Sequence, residues 1–74
     1  MMVKVFSKNN CMQCKMVKKY LDENGVQFVE HNIDEEPNLV DYLKEQGYQT
    51  VPVVETKEIS FSGFRPDQLK GLVA

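Results

Sequence analysis

The chain has 74 residues, 42% of them hydrophobic, with nine basic against eleven acidic side chains and a formal charge of −2. A chain this short reads as one domain, residues 1–74, near the lower size at which an apolar core suffices alone. The weak charge gives no electrostatic reason to expect nucleic acid or an anionic membrane surface, and no apolar run approaches the roughly 18 residues of a membrane span. The opening MMVKVFSKNN lacks the apolar core and small-residue cleavage site of a secretory signal. A soluble, cytoplasmic protein is expected. Reducing compartments disfavour permanent disulfides, which leaves catalysis or metal binding for paired cysteines.

In chain order, VKVF at 3–6 is short, β-branched and aromatic and predicts a first strand. From Met12 the pattern turns helical. Met12, Met16, Val17, Tyr20 and Leu21 share one face, and Lys15, Lys18, Lys19, Asp22 and Glu23 take the other. Asn24 and Gly25 stop that helix as a left-handed cap. QFVEHNI at 27–33 predicts a second strand. DEEPNLVDYLKEQG at 34–47 predicts a second helix, with its acids and Pro37 in the first turn and Gly47 at its end. TVPVVE at 50–55 and EISFS at 58–62 are spaced as a hairpin. Pro66 opens a last short helix whose buried stripe is Leu69, Leu72 and Val73. The order βαβαββα predicts a three-layer α/β domain whose first two strands are parallel.

The two cysteines of the chain, Cys11 and Cys14, fall where the first strand gives way to the first helix. Residues three apart share a helix face at Cα separations of about 4.4–6.8 Å, which a disulfide spans. Unsatisfied N–H groups and the dipole at the helix start favour a thiolate, and Lys8 and Lys15 add positive charge. Cys11 is therefore expected to attack and Cys14 to resolve the mixed disulfide. Their place beside polar Asn9 and Asn10 argues against buried, inert thiols. A structural zinc site usually takes four ligands, and beyond this pair the chain offers only His31, on another strand. No metal site is expected within one chain; a metal or iron–sulfur module shared between two chains is the rival from another class. His31 itself is expected to be half-exposed with no chemical duty. Tyr20, Tyr42 and Tyr48 fit helix faces and ends.

Thr50, Val51 and Pro52 begin the third strand, a position that suits a residue without an amide hydrogen. Base rates alone favour a trans Val51–Pro52 bond. Together with C-x-x-C and βαβαββα, this TVP resembles a glutaredoxin within the thioredoxin superfamily. CMQC at 11–14 and FSGFRPD at 61–67 resemble one branch in particular, the NrdH-redoxins, across almost the whole chain.

That resemblance implies a thioredoxin/glutaredoxin-like fold: a four-stranded mixed sheet in order 2-1-3-4, the first and third helices on one face and the second on the other. It implies a redox-active disulfide between Cys11 and Cys14, no cofactor, and a cis Pro52 beside the pair, where the Val51 backbone meets an extended partner segment. It further implies a monomer reduced by NADPH-dependent thioredoxin reductase, with the large subunit of class Ib ribonucleotide reductase as acceptor. Lys8, Met12, Gln13, Thr50, Val51, Pro52, Ser62, Gly63, Phe64 and Arg65 are the candidate partner-binding residues. Phe64 is equally readable as core, and Arg65 as a solvated or stem-packed side chain. Where the branch commonly has tryptophan this chain has Phe61, which lacks an N–H donor. CMQC lacks the proline and aromatic of glutaredoxins proper, and Phe64 replaces the second glycine of their Gly-Gly, where its bulk is expected to obstruct glutathione. A glutathione-reduced glutaredoxin remains the nearest rival.

Overall fold

The computed structural model describes residues 2–73; Met1 and Ala74, the ends of the expected 1–74 domain, lie outside them. The elements are β1 (Lys4–Ser7), α1 (Met12–Glu23), β2 (Val29–Asn32), α2 (Asn38–Glu45), β3 (Val53–Glu55), β4 (Ser60–Ser62) and α3 (Pro66–Leu69), the last continued by a 3-10 turn over Lys70–Leu72. The sheet order is β2-β1-β3-β4. β1 runs parallel to β2 and antiparallel to β3, which is antiparallel to β4.

Alternation along the strands sorts the core into two layers, because successive side chains leave opposite faces of a sheet. Val3, Val5, Val54 and Phe61 pack with Val17 and Leu21 of α1 and with Leu69 and Leu72 beyond β4. Phe6 and Val53 meet Leu43 of α2 on the other face, with Leu39, Tyr48, Val51 and Ile33 at the margin. The first and third helices thus share one face and α2 covers the other. Val17 and Leu21 are completely buried, and burying each such aliphatic side chain contributes about 1.5–3 kcal/mol. Phe61 is buried in the first layer, so it packs there without an indole donor.

Several boundaries differ from the sequence expectation, those of β3 and β4 for a local reason. β1 lies one residue later than residues 3–6, although Val3 O still accepts from Val29 N at 2.8 Å. β2 is shorter than residues 27–33. β3 begins only at Val53, since Pro52 has no amide hydrogen for the ladder. β4 begins only at Ser60, because Thr56 folds Glu58 and Ile59 into the turn: its Oγ1 accepts from both their amides, at 3.2 and 3.0 Å. The first turn of α2 contains Asp41, whereas Asp34, Glu35 and Glu36 lie before the helix. Asp34 instead donates its amide to Asn32 Oδ1 at 2.8 Å in an Asx turn.

The stripe of α1 also needs correction. Its buried residues are Cys14, Val17 and Leu21, whereas Met12 and Met16 are 70% and 40% exposed and Tyr20 is half-buried. At about 100° per residue, Met12 points nearly opposite the centre of the buried face. The apolar residues of this helix span half its circumference, and the sheet covers only part of that arc. The helix stops as expected. Gly25 takes φ 71°, and Val26 N donates to Leu21 O at 2.9 Å, a Schellman closure.

Candidate active site

The site grows from the turn between β1 and α1. Asn10 adopts φ 56°, a left-handed conformation that asparagine tolerates better than most residues. It delivers Cys11 to the N-cap of α1 in an extended conformation, φ −111° and ψ 108°. There the Cys11 sulfur accepts from the Cys14 backbone N–H at 3.2 Å, in the manner of an N-capping side chain. Cys11 and Cys14 are joined by a disulfide with a Cα separation of 5.2 Å. The first turn of α1 holds no acidic residue, so no carboxylate there opposes negative charge on sulfur. In the reduced pair the same N–H and the helix dipole favour the Cys11 thiolate.

The expectation that the helix start is a poor place to bury the pair is not met, since both cysteines are buried. Cys14 is 1% exposed and Cys11 9%. Cys11 is the less enclosed of the two, and Cys14 lies one turn into the helix behind it.

Hydrogen bonds draw the three sequence motifs into one surface. Gln13 Oε1 accepts from the Phe64 backbone N–H at 3.3 Å, across 51 residues, and Gly63 N donates to Pro52 O at 2.8 Å. The β4–α3 loop is thereby tied both to the residues between the cysteines and to the start of β3. The Val51–Pro52 bond is cis, as the family resemblance implied and contrary to the base-rate reading. Gly63 adopts φ 83°, which accounts for a glycine at that place.

The remaining candidates fall in several environments. Lys8, Thr50 and Val51 line one small cavity of 130 Å³ together with Lys44 and Tyr48 of the α2 side, so Lys8 is grouped with the TVP segment. Met12 is exposed. Gln13, a candidate for partner contact, is exposed and accepts the Phe64 amide through its Oε1. Ser62 ends β4 opposite Val53. Phe64 is half-buried, packed against the α1–α3 layer with its ring edge-on to Tyr20 at 6.4 Å. The direction of its bulk, which sequence left open, is toward α1. The Arg65 guanidinium pairs with Asp67 at 3.2 Å in the same turn, which holds the Asp67 carboxyl below its ordinary range. Arg65 is exposed. His31 is half-buried as expected, stacked on Phe6 at 5.4 Å with Nδ1 3.6 Å from a Glu36 carboxylate oxygen. Among the described residues, no three His, Cys, Asp or Glu side chains are placed to hold a metal ion, and no helix is long and apolar enough to cross a membrane.

Two polar networks that sequence reasoning missed brace the cysteine turn. Asn9 donates its backbone N–H to Asp34 Oδ2 at 2.8 Å, and Asn32 Nδ2 donates to Asn9 Oδ1 at 3.0 Å. The turn before Cys11 is thus fastened to the loop after β2. Ser7, buried at the end of β1, donates to Glu30 Oε2 at 2.6 Å, and Lys18 Nζ of α1 reaches the same oxygen at 2.8 Å. Lys18 first and Ser7 second hold the Glu30 carboxyl below its ordinary range. The adjacent asparagines and the Asn32–Asp34 spacing were the available signals, but pairing them requires knowing that β1 and β2 are parallel neighbours.

A Cys-x-x-Cys disulfide opening α1, together with a cis-proline that leads into the third strand of this sheet, defines a thiol–disulfide oxidoreductase of the thioredoxin fold. Comparison with known proteins narrows the class. The Glutaredoxin family model matches residues 3–59. The glutaredoxin-like protein NrdH of Lactococcus lactis subsp. cremoris is 54% identical over 71 residues, covering 96% of this chain and 99% of that protein. The Escherichia coli NrdH is 35% identical over 72 residues, covering 97% and 89% respectively. The solved NrdH-redoxin from Escherichia coli superposes with a TM-score of 0.94, covering 97% of this chain and 95% of that one. The chain belongs to the glutaredoxin family, in its NrdH-redoxin branch.

Proposed function

We propose that this protein is a cytoplasmic protein disulfide reductase, a single-domain, monomeric carrier that takes electrons from NADPH-dependent thioredoxin reductase. Its acceptor is the large subunit of class Ib ribonucleotide reductase. The observation that supports the chemistry is the asymmetry of the pair: Cys11 caps α1 as the less enclosed residue, 9% exposed, and Cys14 lies one turn behind it at 1%. The partner assignment rests on likeness to the NrdH branch; the solved Escherichia coli relative is described as having a thioredoxin-like activity profile.

In the reduced carrier the Cys11 thiolate attacks one sulfur of a partner disulfide. The partner S–S bond breaks, a Cys11–partner disulfide forms, and one partner thiolate leaves. Cys14, giving up its proton to that thiolate, then attacks the Cys11 sulfur, which closes the Cys11–Cys14 disulfide and releases the second partner sulfur as a thiolate. Two electrons and one proton pass from the carrier to the partner, and solvent protonates the second partner thiolate. Because Cys14 is tethered 5.2 Å away at Cα, the resolving step is intramolecular, which gives it a high effective concentration. Reduction by the flavoprotein restores the dithiol. Met12, the Val51 backbone and the loop of Gly63 and Phe64 form the surface on which partners dock.

NADPH oxidation with a disulfide substrate, run in parallel with two reducing systems, tests the reading. Turnover with thioredoxin reductase, and none with glutathione plus glutathione reductase, is the expected result. Turnover only with the glutathione system would make the protein a glutathione-dependent glutaredoxin.

A further inference from the structure

We propose that Met12 is an oxidative modification site: conversion of its thioether to the sulfoxide by a peroxide weakens docking of disulfide partners at Cys11. The proposal deepens the reading above and rests on it.

The helical pattern groups Met12 with the apolar stripe of α1, yet the fold turns it outward to 70% exposure. It belongs to neither core layer, so it has no packing duty. It stands immediately beside Cys11, between the two redox cysteines, on the face a partner must cover. A flexible, polarisable thioether suits such a place because it adapts to varied apolar surfaces. The same exposure opens its sulfur to oxidants.

The oxidation state of the pair sets the timing. In the disulfide form neither cysteine presents a thiolate, and the methionine thioethers are then the more nucleophilic sulfurs left to a peroxide. The Met12 sulfur donates an electron pair to the terminal peroxide oxygen. An S–O bond forms as the O–O bond breaks, and the other oxygen leaves as water. Sulfur loses two electrons and the peroxide gains them. The product is polar and chiral, and methionine sulfoxide reductases return it to the thioether using two electrons from a dithiol. On the docking face the sulfoxide must shed bound water before a partner seats, which opposes association.

Two other methionines provide internal comparisons. Met2 is 64% exposed, but it precedes β1 and lines a groove with Lys4, Glu55 and Thr56 at the opposite end of the sheet. Met16 is 40% exposed, one turn further along α1. Both accept oxygen, and neither lies between the cysteines.

The test begins with carrier in its disulfide form, treated with hydrogen peroxide and mapped by peptide mass spectrometry for oxygen addition at each methionine. The sample is then assayed for insulin reduction driven by dithiothreitol. Oxidised wild type is expected to show KM for insulin raised about fivefold with kcat little changed. Met12→Leu, compared with its own untreated sample, is expected to show no such rise; Met16→Leu and Met2→Leu show it in full. A rise that persists in Met12→Leu, or no rise in wild type with Met12 fully oxidised, overturns the proposal. The dithiothreitol drive needs no reductase, so a wrong reductase assignment shows only in the NADPH assay. Untreated protein inactive on insulin would sink the disulfide-reductase reading, and this proposal with it.

Discussion

At the hairpin between β3 and β4, Thr56 donates its hydroxyl to Ile59 O at 3.1 Å and receives the amides of Glu58 and Ile59, all within three residues. At the cysteine end the bonds reach across the chain: Asn9 to Asp34 over 25 residues, Asn32 to Asn9 over 23, and Gln13 to Phe64 over 51. The turn itself is closed by neighbours, and only at its base do the Tyr42 and Tyr48 hydroxyls reach Glu55 and Ser60 from outside the hairpin. The cysteine end is assembled from segments that meet only after the sheet forms. Chemistry placed there inherits its geometry from segments far apart in the chain.

The sharpest break in that comparison comes from the cysteines. Cys14→Ser is expected to trap a mixed disulfide with a substrate, visible by mass spectrometry, and Cys11→Ser to trap none; both lose turnover. Equal trapping by the two variants would sink the assignment of attacking and resolving roles.

Gly63→Ala tests the backbone at the cysteine end. An added Cβ meets Gln13 Oε1 at 3.7 Å, an ordinary contact, so the penalty comes from φ 83° and is about 1–2 kcal/mol. For a domain of this size, thermal unfolding should move down by roughly 4–8 °C per kcal/mol. An unchanged Tm would show that the loop relaxes to a right-handed turn at no cost.

Gln13→Ala and Thr56→Ala set the two ends side by side. Gln13→Ala removes one neutral hydrogen bond and Thr56→Ala three, each worth about 0.5–1.5 kcal/mol, so Thr56→Ala should cost more stability. Their functional effects should differ. Gln13→Ala frees the Phe64 amide, which should exchange its hydrogen faster, and raises KM for protein disulfides. Thr56→Ala should leave both untouched. If Thr56→Ala slows disulfide reduction as much as Gln13→Ala does, the two ends are coupled and the contrast fails.

The smallest effect concerns acid. Lys18, and after it Ser7, hold Glu30 below its ordinary value of 4.5. A folded-state value below the unfolded one contributes stability that is fully present above the unfolded value and is lost as pH falls through the folded one. Glu30→Gln should therefore flatten part of the stability loss below about pH 4.5 in denaturant titrations. Lys18 and Glu30 are 30% and 36% exposed, so solvent screening keeps the change small.

Much was legible from local pattern. The element order, the cap at Gly25, Pro66 opening α3 and the cysteines at the head of α1 all follow from signals within a few residues. So did the fold family, because CMQC, TVP and FSGFRPD are contiguous words. Sequence alone therefore determined which elements form, in what order, and which two sulfurs can pair, since propensity, capping and C-x-x-C spacing act over one or two turns. Only the tertiary structure decided which half of α1 the sheet covers, leaving Met12 in solvent and Cys14 sealed. It also decided that Gln13 holds Phe64 and that Asn9 is fastened to Asp34. The reason is geometric. Burial and long-range hydrogen bonds depend on which surfaces meet, and a chain acquires those neighbours only when β1 has gathered β2 and β3 around it.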